Sequence, residues 1–237
     1  MLSIKNLTVE ADEKIILQNI NLEIKDGEKV VLFGPNGSGK STLFQVLMGL
    51  NSYKIKRGDI KIDGKSVKKM SIDERVKLGL GYVGQKGVAI KDVTVEDLME
   101  QYEFEYDEIK KTAELLDIDE LLNRDINYTL SGGEIKRVEL FTLSLLENIH
   151  TYLLDELDSG VDLENIGRIA QYLGKIAKDK SIVITTHTGA ILKELDVNTA
   201  YVMLNGEIIC EGKPEKVWGC INKQGYEGCV NCEFAKK

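Results

Sequence analysis

Gly34-Pro35-Asn36-Gly37-Ser38-Gly39-Lys40-Ser41 fits the spacing G-x-x-x-x-G-K-[ST], a set of residue types suited to holding phosphate. Glycines take Cβ atoms out of the way, so backbone N–H groups can close around phosphate oxygens. A helix that follows adds unpaired donors and a partial positive charge. Lys40 is then placed to reach β- and γ-phosphates, and the Ser41 hydroxyl to ligate Mg²⁺. A second cluster, Tyr152-Leu153-Leu154-Asp155-Glu156, is an apolar run ending in two carboxylates, which a core strand does not keep without a polar task at its edge. Asp155 suits Mg²⁺, directly or through water, and Glu156 suits orienting or deprotonating a water that attacks the γ-phosphate. Alone, this run reads equally well as a strand end before an acidic turn; behind a phosphate loop, the catalytic reading takes precedence.

Leu130-Ser131-Gly132-Gly133-Glu134 precedes a helical stretch. Ser131-x-x-Glu134 is a capping box, but a cap does not call for two glycines in the first helical turn, where they cost stability. Paired glycines there allow close approach to a second phosphate. Gln85 and His187 each follow an apolar strand, although a lone Gln is usually a surface residue and a lone His usually a satisfied polar group. Cys210, Cys220, Cys229 and Cys232 are the only cysteines and all fall near the C-terminus. Cys229-x-x-Cys232 has metal or redox spacing, and Cys220 adds a third thiolate, leaving a site for Zn or an iron–sulfur cluster to be completed by Cys210 or a partner. The competing expectation is a set of idle thiols at a frayed terminus.

Positioning these groups requires a strand, loop and helix in order. Lys29 to Phe33 (KVVLF) is a continuous β-branched and apolar run, as in a strand buried on both faces, and Lys40 to Met48 reads as the helix. Before it, Leu2, Ile4, Ile15 to Leu17 and Leu22/Ile24 read as an antiparallel β layer. A strand over Asp59 to Ile62, a helix opened by Ser71-x-x-Glu74 and a strand over Leu80 to Val83 follow. From Asp92 to Asn123 the pattern is helical, acidic and strand-free, opening at Thr94-x-x-Asp97. Helices over Gly132 to Glu147, Asp162 to Lys178 and Gly189 to Leu195 then alternate with strands over Thr151 to Leu154, Ser181 to Thr185 and Ala200 to Leu204, implying a parallel sheet with crossover helices. Asn205-Gly206 before Glu207 to Cys210 is a two-residue hairpin signal. The fold class expected is α/β: 1–85 and 141–212 as a catalytic core with a β layer, 86–140 as an inserted α-helical subdomain, and 213–237 as a cysteine-containing tail.

The 237 residues suffice for one such unit, and 43% hydrophobic with 30% charged residues is a globular balance. A formal charge of −8 argues against general nucleic-acid binding. No run approaches the roughly 20 apolar residues that span a bilayer, and Met1 to Glu10 lacks the order of a signal peptide. With cysteines confined to one end, a cytoplasmic chain that meets a membrane only through a partner is expected.

In order, Gly34 to Thr42, Gln85, Leu130 to Glu134, Tyr152 to Glu156, Ser159-Gly160-Val161-Asp162 and His187 resemble the Walker A, Q-loop, signature, Walker B, D-loop and H-loop motifs of ABC ATPases. The resemblance implies the P-loop core and helical subdomain of that family, and ATP hydrolysis with Mg²⁺ on Ser41, Gln85 and Asp155. It also implies a head-to-tail homodimer in which Ser131, Gly132, Gly133 and Glu134 contact the nucleotide on the other copy's Lys40. His187 would contact the γ-phosphate, Gln85 would couple the metal and water to the lobe, and Ser159, Gly160 and Asp162 would form the D-loop. Within the family, Leu2 to Leu7, Gly34 to Thr42, Leu130 to Glu134 with Lys136-Arg137, and Leu154 to Asp162 are most similar to the SufC branch that serves iron–sulfur cluster assembly. Glu134 stands where transport ATPases usually carry Gln, and Asp158-Ser159-Gly160 where they usually carry a proline motif. This branch implies a SufB/SufD-like scaffold as partner; the alternatives are a membrane transporter's nucleotide-binding subunit and an ATP-gated binding module. Glu10-Ala11-Asp12 offers no ring for adenine, so nucleotide binding is expected to depend on phosphate contacts.

Overall fold

The computed structural model describes residues 1–237 apart from 51, 88–89, 91, 101–105, 127–129, 187–189, 194, 233 and 236–237. Two sheets form the frame. β2 (Lys14–Ile24), β1 (Leu2–Ala11), β4 (Lys54–Ile62) and β5 (Lys65–Ser66) make an antiparallel sheet in the order β2-β1-β4-β5. The second sheet runs β10-β9-β3-β8-β7-β6, with β3 (Lys29–Phe33), β6 (Leu80–Val83), β7 (Thr151–Asp155), β8 (Ser181–Thr185), β9 (Thr199–Leu204) and β10 (Glu207–Gly212). All its pairings are parallel except the β9–β10 hairpin, which closes through Asn205 (φ 49°) and Gly206 (φ 79°), the two positive dihedrals a type I′ turn needs.

The side-chain period of a strand divides this sheet's residues between two cores. Val30, Leu32, Leu153, Val183, Tyr201 and Met203 face the antiparallel layer and α1 (Lys40–Met48). Val31, Phe33, Tyr152, Leu154, Ile182, Ile184, Ala200 and Val202 face a core built mainly by helices. Every residue of β7 and β8 is buried, which is why these strands read as unbroken apolar runs rather than alternating ones. α2 (Ile72–Lys77), α3 (Val95–Met99), α4 (Tyr106–Leu115), α5 (Gly132–Ser144), α6 (Leu163–Ile176) and α7 (Pro214–Gly228) complete the chain. Capping boxes at Ser71/Glu74, Thr94/Asp97 and Ser131/Glu134 start three of these helices, each with both reciprocal bonds formed.

Three expectations change. β4 begins at Lys54, not Asp59, because Gly58 sits within a strand bulge opposite Asn6 rather than ending a loop; a Cβ there would lie 2.4 Å from the Asn6 carbonyl oxygen. The stretch read as a helix from Gly189 to Leu195 is a short 3₁₀ turn, Ala190–Lys193, with 187–189 and 194 outside the described residues. The C-terminal segment is not a frayed end: α7 packs Val217 and Ile221 into the helical core, and Trp218 stacks on Phe33 with centroids 5.1 Å apart. Pro at the first turn and a buried apolar stripe were the available signs of that helix.

Candidate functional site: a phosphate loop facing two carboxylates

β3 delivers the chain to Gly34, whose missing Cβ is required because one would lie 2.4 Å from the Met203 carbonyl oxygen. The hairpin supports the loop from outside, with Gly206 N–H donating to Ser38 O at 3.0 Å. Gly37 (φ 80°) and Gly39 (φ 105°) supply the left-handed turns that lead into α1. No side chain caps α1, whereas Ser71, Thr94, Ser131 and Asp162 cap α2, α3, α5 and α6. The first N–H groups of α1 therefore remain for an anion.

Lys40 is 4% exposed, and its ammonium donates to Gly34 O at 2.8 Å and Pro35 O at 3.1 Å. Burial lowers its pKa, opposed by the negative charges of Glu156 and Asp155. Ser38 Oγ is buried with no hydrogen-bond partner among the described residues. An orphaned hydroxyl beside a buried ammonium is a cradle suited to a phosphate oxygen. The cavity, about 350 Å³, is lined by Asn36, Gly37, Gly39, Lys40, Ser41, Thr42, Gln85, Glu156 and Ile16.

Across the cavity, β7 ends in Asp155, and Glu156 takes a left-handed conformation (φ 49°) that turns its side chain out of the strand line. Gln85 Nε2 donates to Glu156 Oε2 at 2.7 Å, joining the Q-loop position to the candidate base. Thr185 Oγ1, at the end of β8, donates to Asp155 Oδ1 at 2.6 Å and accepts from Glu156 N at 2.9 Å. Its neighbour Thr186 donates to Asp158 Oδ2 at 2.6 Å, so the end of β8 staples the whole acidic turn. Tyr82 lies 3.5 Å from Asp155 Oδ2; burial and then that carboxylate raise its pKa, so it stays a neutral donor. Ser41 and Gln85 line the cavity, whereas Asp155 is fully buried behind it with its carboxylate oxygens engaged by Thr185 and Tyr82; hydroxyl, amide and carboxylate oxygens are hard donors of the kind that suit Mg²⁺.

Lys136, inside α5, is 4% exposed and donates to Glu156 O at 3.0 Å, Asp155 O at 3.2 Å and Gly84 O at 3.3 Å. Burial lowers its pKa, countered by Glu139, Asp155, Glu156 and Asp158. Arg137, the next residue, holds Leu116 O at 2.9 Å and both Asp117 O and Oδ2 at 2.8 Å. Thr185, Thr186, Lys136, Tyr82 and Ile16 were missed by sequence reasoning. A Lys two residues past the capping box and paired threonines after a buried strand were the only signals, and neither shows which carbonyls or carboxylates it meets.

The signature segment is elsewhere. Ser131 and Gly132 are exposed, and none of Ser131 to Glu134 lines the cavity. Gly133 faces Gly160 and Val161, with a built Cβ 3.8 Å from Gly160 O. Ser159 N–H donates to Glu156 O at 3.0 Å, Gly160 (φ 72°) is exposed, and Asp162 caps α6 through Asn165 N at 3.0 Å. Candidate His187 lies outside the described residues.

A family model described as "ABC transporter" matches residues 17–159. "Vegetative protein 296" of Bacillus subtilis (strain 168) is 35% identical over 95% of this chain and 92% of its own length. "Probable ATP-dependent transporter ycf16" of Antithamnion sp. is 34% identical over 96% of both chains. Among solved structures, a nucleotide-free ATP-binding cassette from an ABC transporter aligns with a TM-score of 0.79 at 25% identity, covering 98% of this chain and 99% of that one. A dimeric post-hydrolysis ATP-binding cassette bound to ADP and Pi aligns at 0.72 and 30% identity, over 90% of this chain and 98% of that one.

Proposed function

The chain belongs to the ABC transporter family of ATP-binding cassettes, and from that premise we propose that it hydrolyses MgATP to ADP and phosphate at a site shared by two copies. The observation that carries this reading is the Gln85–Glu156 pair facing Lys40 across one cavity. Backbone N–H groups of Gly37 to Lys40 would cradle the β- and γ-phosphates, and Lys40 would exchange its carbonyl partners for phosphate oxygens. Glu156 would align a water behind the γ-phosphate and take its proton, with Gln85 fixing the carboxylate and His187 contacting the γ-phosphate. Bound among Ser41, Gln85 and Asp155, Mg²⁺ would supply charge neutralisation at the phosphate oxygens. Little covalent chemistry is asked of the protein, so positioning sets the rate.

Among the described residues nothing around Gly132 requires glycine, since a Cβ there would meet none of them. A glycine kept bare on an exposed helix start suits close approach by another molecule's nucleotide, which supports a head-to-tail dimer with Ser131 to Glu134 acting in trans. Residues 86–140 would then move as a lobe against 1–85 and 141–212, with Gln85 between them and Ser159, Gly160 and Asp162 at the dimer face. Glu156→Gln is expected to keep nucleotide binding and lose about 10²–10⁴-fold in turnover. Near-normal hydrolysis by that variant would remove Glu156 from the role.

For the partner driven by this cycle, Glu134 and Asp158-Ser159-Gly160 support a soluble SufB/SufD-like iron–sulfur scaffold. A second reading, a membrane permease, is supported by the names of relatives, among them "Probable ABC transporter ATP-binding protein" in Streptococcus pyogenes, 33% identical over 96% of this chain. Affinity capture from soluble and membrane fractions separates them. A soluble partner that stimulates turnover favours the first; one recovered only from membranes favours the second.

A further inference from the structure

The four cysteines, scattered over 23 residues of sequence, converge in space. Cys220, Cys229 and Cys232 place their Sγ atoms all within 4.8 Å of one another. Cys210, from the edge strand β10, stands outside that mutually close trio but has its Sγ 3.8 Å from that of Cys232. Separate devices achieve this. α7 breaks at Gly225 (φ 70°), after which a turn carries Cys229 and Cys232 back toward Cys220. The last residues then pair with β10 through the Cys210–Ala235 bridge and Glu211 N–H donating to Phe234 O at 3.1 Å. Lys216 over the Phe234 ring, 5.6 Å from its centroid, clamps that return.

We propose that Cys210, Cys220, Cys229 and Cys232 form a tetrathiolate site for a single zinc-type divalent cation. Tetrahedral bonds of about 2.3 Å separate neighbouring sulfurs by about 3.8 Å, the spacing already present between Cys210 and Cys232. In a [4Fe–4S] cluster each thiolate binds a different iron, and in a [2Fe–2S] cluster any three thiolates include a pair on different irons, so three sulfurs all within 4.8 Å of one another suit neither. Soft sulfur ligands likewise disfavour Mg²⁺ or Ca²⁺. An open groove of about 520 Å³, lined by Cys220, Cys232, Lys216 and Lys223, gives an entry path from solvent. Each thiol would lose its proton to water as its sulfur–metal bond forms. The resulting net negative charge lies beside a groove that carries Lys216 and Lys223 together with Glu215. Burial pushes the Cys229 thiol up to about 12 and raises the Cys210 thiol as well. The consequence reaches the nucleotide site: Trp218 stacks on Phe33 at the end of β3, and the Gly34 backbone N–H lies near enough to the Tyr226 hydroxyl to offset part of the rise that burial gives its pKa. A metal gripping Cys220 and Cys229 would hold both aromatic residues against the root of the phosphate loop.

The test is elemental analysis of the full chain purified without oxygen, combined with Co²⁺ titration of chelator-treated protein. Expected are about one zinc per chain and thiolate-to-cobalt charge-transfer absorption, both lost in Cys229→Ser/Cys232→Ser. Chelated wild-type protein serves as the second arm if that variant fails to fold, and should melt lower until zinc is restored. Metal content equal in wild type and variant, iron accompanied by inorganic sulfide, or a Cys210–Cys232 disulfide with no bound metal would each overturn the proposal.

Discussion

Thr185 is fully buried, and its single hydroxyl serves both groups that the proposed chemistry needs, donating to Asp155 at 2.6 Å and accepting from the Glu156 amide at 2.9 Å. Thr185→Val keeps the shape and removes both bonds. Losing a hydrogen bond to a carboxylate costs about 1.5–3 kcal/mol, and a buried amide left without an acceptor about 1–3 kcal/mol. The sum, about 2.5–6 kcal/mol, lowers Tm by about 5–24 °C for a chain of this size. Thr185→Ser isolates the hydroxyl from the methyl, because it keeps both bonds and gives up only packing of about 0.5–1.5 kcal/mol. Calorimetric melts of the three proteins, with single-turnover phosphate release on the same samples, read the two effects separately. The Ser variant should stay close to wild type in turnover while the Val variant loses it, since Asp155 and Glu156 then lack their shared brace. If Val and Ser melt together and turn over alike, the hydroxyl does not position these carboxylates and the reasoning fails.

Lys136→Met should cost about 2–4 kcal/mol in urea unfolding, because three carbonyls lose a charged donor inside the protein; an unchanged midpoint would show that those carbonyls have other partners. Glu134 is held below its ordinary value of 4.5, chiefly by the Ser131 backbone N–H. Its folded pKa is the lower one, so its contribution is present above pH 4.5 and is lost as pH falls through the folded value. Glu134→Gln keeps the capping geometry without the titration, and should therefore flatten acid destabilisation in that window when melts are followed against pH.

The nucleotide cradle was legible because its causes are local. KVVLF announces a strand buried on both faces, and glycines at 37 and 39 stand where positive φ is required. Asn205-Gly206 was legible for the same reason. Gly58 misled because glycine marks a bulge as readily as a loop, and only pairing with β1 separates the two. What remained hidden depends on partners far away in sequence: nothing at Thr185 or Lys136 reveals Asp155 or Glu156. The tail was misjudged from its position at the terminus, although burial of its backbone and side chains decides order, and Val217 and Cys229 are fully buried.

Lys136 and Arg137 are consecutive on α5, yet one holds the acidic turn after β7 and the other holds the end of α4. Successive helical residues are fixed about 100° apart in rotation and about 1.5 Å apart in rise, so neither grip can shift without the other. Mechanically, α5 is a crankshaft with two journals. A roll of α5 at the carbonyls of Asp155 and Glu156 would carry the Arg137 grip with it, and a load on the end of α4 would bear back on Lys136.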